Sequence, residues 1–252
     1  NQILLSIKKN IDTNRLVEEK NTRDYQMDFR NISLSLSSLL SKDEWVDIYK
    51  KIVYWELELE KSNDKSVEDI LSAQKNEANS QFFRFVKQNY KNWIDGKDSP
   101  LLSHNLFRKK VLPLIEDNIP TYLIVIDNLR YDQYKAFEPV VNNYYKKSHE
   151  SSFYSILPTA TQYARNAIFS GLMPSEMKKR HPDLWLDDTD EGGKNMNENA
   201  FLTAQLKRLG LNIDHEYYKI TNERDGKTLA ANFKGLKDND LTVVVYNFVD
   251  ML

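Results

Sequence analysis

The chain has 252 residues, 40% hydrophobic, 29% charged and 12% aromatic, and its 35 basic and 37 acidic side chains give a formal net charge of -2. Four Trp, fourteen Tyr and eleven Phe exclude a disordered chain, and the even charge argues against a dedicated duplex-DNA or anionic-membrane binder, which carries basic excess. Cys is absent, which removes disulfides, thiol nucleophiles, zinc ribbons and iron–sulfur ligation. No apolar run approaches the ~20 residues of a membrane span and no basic-then-apolar signal opens the sequence, so a cytoplasmic protein is expected.

Residues 1–99 contain Gly96 and no Pro, a scarcity of backbone breakers that predicts helices. Tyr25, Phe29, Ile32, Leu36 and Leu39 form one stripe at helical spacing. Trp45, Ile48, Ile52, Trp55 and Leu59 form a second, after Ser41 as the expected N-cap, and Phe82, Val86, Tyr90 and Trp93 form a third. Such faces predict a bundle of antiparallel helices. The turn formers from Asp95 to Pro100 read as a linker. Ser103–Leu112 is expected to be a short helix that Pro113 kinks or ends.

The pattern changes at Pro120. Residues 121–127, TYLIVID, read as a strand buried on both faces, and 241–249, LTVVVYNFV, as a second. Helices are predicted over 132–147, 162–170 and 198–209, with a weaker strand near 153–156. Residues 186–199 read as an acidic loop. Strand–helix alternation predicts an α/β layer with a mostly parallel sheet. A sheet whose last strand closes the sequence is expected to leave that strand with an exposed edge.

In such sheets, ligands gather beyond the carboxyl ends of strands. Asp127 ends the first strand and Asp250 the last. Thr161 stands where the segment LPTAT enters a helix, as its first residue or its N-cap. A helix amino end suits a phosphate, and a Thr hydroxyl becomes a nucleophile when a metal or base removes its proton. Two strand-end carboxylates suit a divalent cation. Metal-assisted attack on phosphorus is one reading of these residues; the other is routine turns and caps, with Thr161 as a plain cap. Arg165, one turn after Thr161, either faces the same phosphate or makes a structural ion pair. Asn128 and Arg130 follow Asp127 and are candidates to line the site. Asp187–Glu191 reads as a solvated loop, and His181 as a turn residue.

Residues 125–132, VIDNLRYD, with 157–165, LPTATQYAR, and 181–193, HPDLWLDDTDEGG, resemble the PglZ branch of the alkaline phosphatase superfamily, and more narrowly the PorX-like response regulators of type IX secretion. The resemblance implies a helical bundle followed by an incomplete α/β alkaline-phosphatase-like domain. Residues 1–11 would end the last helix of a receiver domain, 12–118 would be the helical linker/effector domain, and 119–252 the first part of the PglZ domain. It also implies two zinc ions, Thr161 as nucleophile, and Asp127 as ligand of the ion that activates it. Asp250 would open an Asp-x-x-x-His ligand motif whose His would fall at position 254. His104, His149, His181 and His215 fit none of the family's ligand positions. A piece with this ligand set is expected to be inactive or nearly so, while the intact domain would hydrolyse phosphodiesters, with oligonucleotides as candidate substrates. Phosphorylation by a histidine kinase through the receiver would control it, with homodimerisation as one output. The alternative is a non-catalytic scaffold that binds a sigma factor or a secretion component. A DNA-binding output domain is disfavoured, because no helix clusters Arg and Lys for a groove.

Overall fold

A computed structural model of the chain describes residues 24–61, 65–115, 119–232 and 239–247. The expected receiver helix at 1–11 and the candidate ligand Asp250 lie outside them. The chain divides into two compact units. One holds the described residues up to Asp98 together with Tyr131–Lys146; the other holds Ser99–Arg130 and the residues from Lys147 onward.

The first unit is helical. Helix α1 covers residues 24–36, α2 is Lys42–Leu59 and α3 is Lys65–Ile94. Ser41 caps α2 with a reciprocal box: Ser41 Oγ accepts from the Glu44 N–H, and the Ser41 N–H donates to Glu44 Oε2 at 2.8 Å. The predicted α2 stripe is the buried face, with Trp45, Ile48, Ile52, Trp55 and Leu59 all in the core. Phe29, Ile32 and Leu36 meet it from α1, and Val67, Leu71 and Ala78 from α3. Each buried Ile, Leu, Val or Phe side chain among them contributes roughly 1.5–3 kcal/mol. Trp45 near the start of α2 packs on Phe82 and Phe85 late in α3, while Glu56 near the end of α2 pairs with Lys75 earlier in α3. The two helices are therefore antiparallel. Gly96 and Asp98 take positive φ just after α3, which breaks the helix where the turn formers predict it. Leu39 departs from its expected place: α1 ends at residue 36, and Leu39 stands fully exposed in the connection to α2. Helix α6, Tyr131–Val141, belongs to this unit, with Tyr131 against the Tyr49 ring of α2 at 5.9 Å and the Lys50 ammonium 5.9 Å from the Tyr131 ring centre.

The second unit is α/β. It opens with α4, Ser103–Leu106, a π-helical turn, Phe107–Val111, and α5, Leu112–Ile115. Of the two outcomes predicted at Pro113, the end does not occur: the helix runs on to Ile115. The Leu112 N–H reaches back five residues to the Phe107 carbonyl, and this wider turn accommodates a ring that an α-turn would crowd. Strands β1 (Thr121–Ile126), β2 (His215–Ile220) and β3 (Leu241–Tyr246) form a parallel sheet in the order β1-β3-β2. Both β1 and β3 are predicted to be buried on both faces; β3 is, with residues 241–245 all buried, and β1 is only partly so. Among the described residues β1 lies at the sheet's edge, and its Ile124 is exposed. The exposed edge expected at the last strand is accordingly absent: β3 is paired on both sides. Strand β2, HEYYKI, went unseen in the sequence because its polar residues interrupt any apolar run.

Around the sheet lie α7 (Thr161–Ser170), α8 (Pro174–Arg180), α9 (Glu198–Arg208) and α10 (Glu223–Ala231). The weak strand near 153–156 is a single bridge between Tyr154 and Leu102. None of the described helices is long and apolar enough to cross a membrane.

Candidate functional site

The register aligns the carboxyl ends of all three strands. Ile126, Tyr246 and Ile220 are level with one another. One residue further, the Asp127 N–H donates to the Tyr246 carbonyl at 2.9 Å, and the Asn247 N–H to the Ile220 carbonyl at 2.8 Å. Two backbone bonds thus fix Asp127 and Asn247 on the rim where α/β sheets bind ligands. Asn128 then takes a left-handed conformation, φ 59, which Asn tolerates and which turns the chain away.

Thr161 is the first residue of α7, with Ala160 at the cap; the Ala160 carbonyl accepts from the N–H groups of Tyr163 and Ala164. The sequence left Thr161 open between those two positions. Its Oγ1 donates to Asp127 Oδ2 at 3.4 Å, so the structure brings these two candidates together across 34 residues. One helical turn on, Arg165 points its guanidinium at the same oxygen, with Nη1 2.6 Å from Asp127 Oδ2. Arg165 is buried, with 4% of its side chain exposed, whereas Asp127 keeps 22%. Asn128 and Arg130 are exposed next to Asp127.

Behind Arg165 lies a set of residues that sequence reading did not single out. Its Nη1 also donates to Asn247 Oδ1 at 2.5 Å, its Nε to Glu198 Oε1, and its Nη2 to Glu198 Oε2 at 3.3 Å. Glu198, 1% exposed, also accepts from the Tyr217 hydroxyl at 2.6 Å and stands 3.4 Å from the Lys219 ammonium. Burial, and then the Glu198 charge, push the Tyr217 hydroxyl's pKa far up, so it remains a donor. Glu198 is the first residue of α9, where the helix dipole favours a carboxylate. Its signal in the sequence was masked by the acidic stretch before it, which reads as solvated.

Two carboxylates of that stretch are taken up by nearby side chains. Asp188 accepts from the Tyr163 hydroxyl at 2.8 and 2.7 Å. Asp187 pairs with Lys178 at 2.7 Å and accepts from Trp185 Nε1 at 2.9 Å, bonds that hold its carboxyl below the usual range. His181 ends α8 as its C-cap.

Asp127 and Thr161 bring together a carboxylate and a hydroxyl, the donor types of a divalent cation, while Asp127 Oδ2 also carries the Arg165 guanidinium. They fit one edge of a metal site. Among the described residues no group of three or more Asp, Glu or His converges on such a point, so further ligands would have to join them from elsewhere.

Residues 106–252, more than half of the chain, match the family model of the BREX system PglZ alkaline phosphatase-like domain. The chain belongs to the PglZ family. Residues 15–94 match the PorX response regulator linker domain, so a PorX-type linker precedes the PglZ domain, as the resemblance implied. No curated protein matches the chain. The PglZ match takes in the whole constellation from Asp127 to Asn247, and the linker match takes in helices α1 to α3.

Proposed function

We propose that the chain is the linker and effector part of a two-component response regulator, whose PglZ domain hydrolyses phosphodiesters with Thr161 as nucleophile. The observation that carries this reading is the Thr161 hydroxyl bonded to the strand-end carboxylate of Asp127 on the sheet's carboxyl rim. Asp127 and Thr161 would hold one edge of a zinc site, with Asp250 as a further ligand. Zinc bound there would supply Lewis-acid activation of the hydroxyl and charge neutralisation at phosphorus.

The chain's own residues do the rest. Asp127 Oδ2 accepts the hydroxyl hydrogen and directs the free lone pairs of Oγ1 outward. Oγ1 attacks phosphorus as its proton passes to water, the bond from phosphorus to the ester oxygen breaks and that oxygen leaves as the alcohol after taking a proton from water, and a second water then cleaves the phosphorylated Thr161 to release a phosphate monoester. The amino end of α7 faces the incoming charge favourably. Asn128 and Arg130, exposed beside Asp127, are the proposed contacts to substrate. A histidine kinase acting through a receiver domain would set the activity, with the helical linker between them.

Thr161→Ala in the full-length protein tests the reading against the scaffold alternative. Hydrolysis of bis(p-nitrophenyl) phosphate with added zinc should fall at least about a hundredfold, a size in keeping with loss of a catalytic group. Turnover at the wild-type rate would exclude Thr161 as nucleophile.

A further inference from the structure

We infer that Glu198 is a positioning residue for the phosphoryl site, acting through Arg165 on Asp127. The inference rests on the function proposed above and deepens it. Among the described residues, the side-chain contacts of Asp127 fall on one oxygen, Oδ2, which receives both Thr161 Oγ1 and Arg165 Nη1. The direction of that carboxylate therefore depends on where the guanidinium sits.

The guanidinium is in turn fixed from behind. Nε and Nη2 are both taken by Glu198, and Nη1 is shared with Asn247. Glu198 is itself gripped by Tyr217 and Lys219, two residues apart and so on one face of β2. The Lys219 ammonium is tied further to the Asn195 carbonyl at 3.1 Å. The chain of contacts thus runs from a deeply buried carboxylate, through a buried guanidinium, to the partly open carboxylate beside Thr161.

Stability alone does not call for such an arrangement, because buried ion pairs are often matched or bettered by apolar packing of the same volume. Its geometry suits orientation. The planar fork of Arg transmits a fixed direction from one carboxylate to the next. Groups that hold a ligating carboxylate from behind typically alter metal affinity or activity about 10–100-fold when changed.

The test uses the full-length protein. Glu198→Gln keeps the shape and removes the charge. Zinc affinity is measured by competition with a chelating dye, and kcat and KM on bis(p-nitrophenyl) phosphate. Zinc affinity or kcat should drop about tenfold or more, with KM within about twofold of wild type. Glu223→Gln, which breaks an exposed pair with Lys227 on α10, should change neither.

A folded Glu198→Gln protein with wild-type zinc affinity and kcat overturns the inference, as does a wild type that binds no zinc. Should Glu198→Gln not fold, Tyr217→Phe removes one bond to Glu198 and is judged by the same criteria. Thr161→Ala with wild-type turnover would defeat the phosphoryl-transfer reading, while the zinc titration of Glu198→Gln still decides the role of Glu198.

Discussion

Arg165 reaches Asp127 with the same nitrogen that it gives to Asn247, so one Nη1 joins the rim residues that follow β1 and β3. The ion pair therefore ties two neighbouring strand ends together at the mouth of the sheet. Its two ends are unequal: Arg165 and Glu198 are buried, and Asp127 is partly open to water.

That inequality predicts unequal costs. Arg165→Met leaves the Glu198 carboxylate buried without its main partner and should cost about 3–5 kcal/mol. Asp127→Asn keeps a hydrogen-bonding oxygen in a partly wet position and should cost only about 1 kcal/mol. Urea unfolding of both variants, followed by circular dichroism, measures the difference; equal losses would contradict the burial gradient.

Gly171 ends α7 in the left-handed region, with φ 62. A Cβ there would overlap the Gln205 amide oxygen and lie 2.8 Å from its Cδ. Gln205 has little room to yield, since its amide nitrogen donates to the Ile168 and Phe169 carbonyls at 3.1 and 2.8 Å. Gly171→Ala should lose at least about 1–3 kcal/mol, the strain and lost capping together. The thermal midpoint reports it, and an unchanged midpoint would show that the α7–α9 packing gives way freely.

Two tryptophans of the helical core differ in one hydrogen bond. Trp55 Nε1 donates to Asp28 Oδ2 at 3.1 Å, whereas the buried Trp45 Nε1 meets no acceptor among the described residues. Both Trp→Phe changes remove similar volume, but Trp55→Phe also forfeits a bond of about 1 kcal/mol, and Trp45→Phe removes an unpaired polar group. Trp55→Phe should therefore be the more destabilising of the two by about that amount, as measured by chemical denaturation.

Acid should weaken the α/β unit through His104. Burial pushes its pKa below the ordinary 6.5. A lowered folded pKa means that the unfolded chain takes up the proton first, so stability present above pH about 6.5 declines as pH falls from there through the folded value. His181 is lowered too, by burial and by Arg208 and Arg180, and acts in the same direction. Unfolding free energies at pH 7.5 and 5.5 should differ less in His104→Gln than in wild type.

The helical part was readable because each stripe needs only local periodicity: the α2 stripe from Trp45 to Leu59 is the observed core face, and Ser41 is the N-cap before it. Leu39 misled because apolar spacing continues beyond the point where the helix stops. β1 and β3 were visible as strands, but their rank in the sheet was not, since an edge and a centre differ in neighbours rather than composition. Asp127 and Thr161 could be named as candidates from strand ends and a helix start, and the structure places them together. Glu198, Tyr217, Lys219 and Asn247 could not be so named, because their meaning arises only when α7, α9, β2 and β3 meet at Arg165.

Helix α6 is encoded between β1 and α7, yet it completes the helical unit beside α2. Three residues, Asn128 to Arg130, carry the chain from Asp127 into it. The two units are consequently interleaved along the polypeptide, and no single cut separates them. Expressing the PglZ match by itself would strand α6 without its companions, and expressing the linker match by itself would leave a gap on its surface. Deletion mapping of this protein should thus be done by excising or replacing 131–146 as a cassette, with both crossings kept intact.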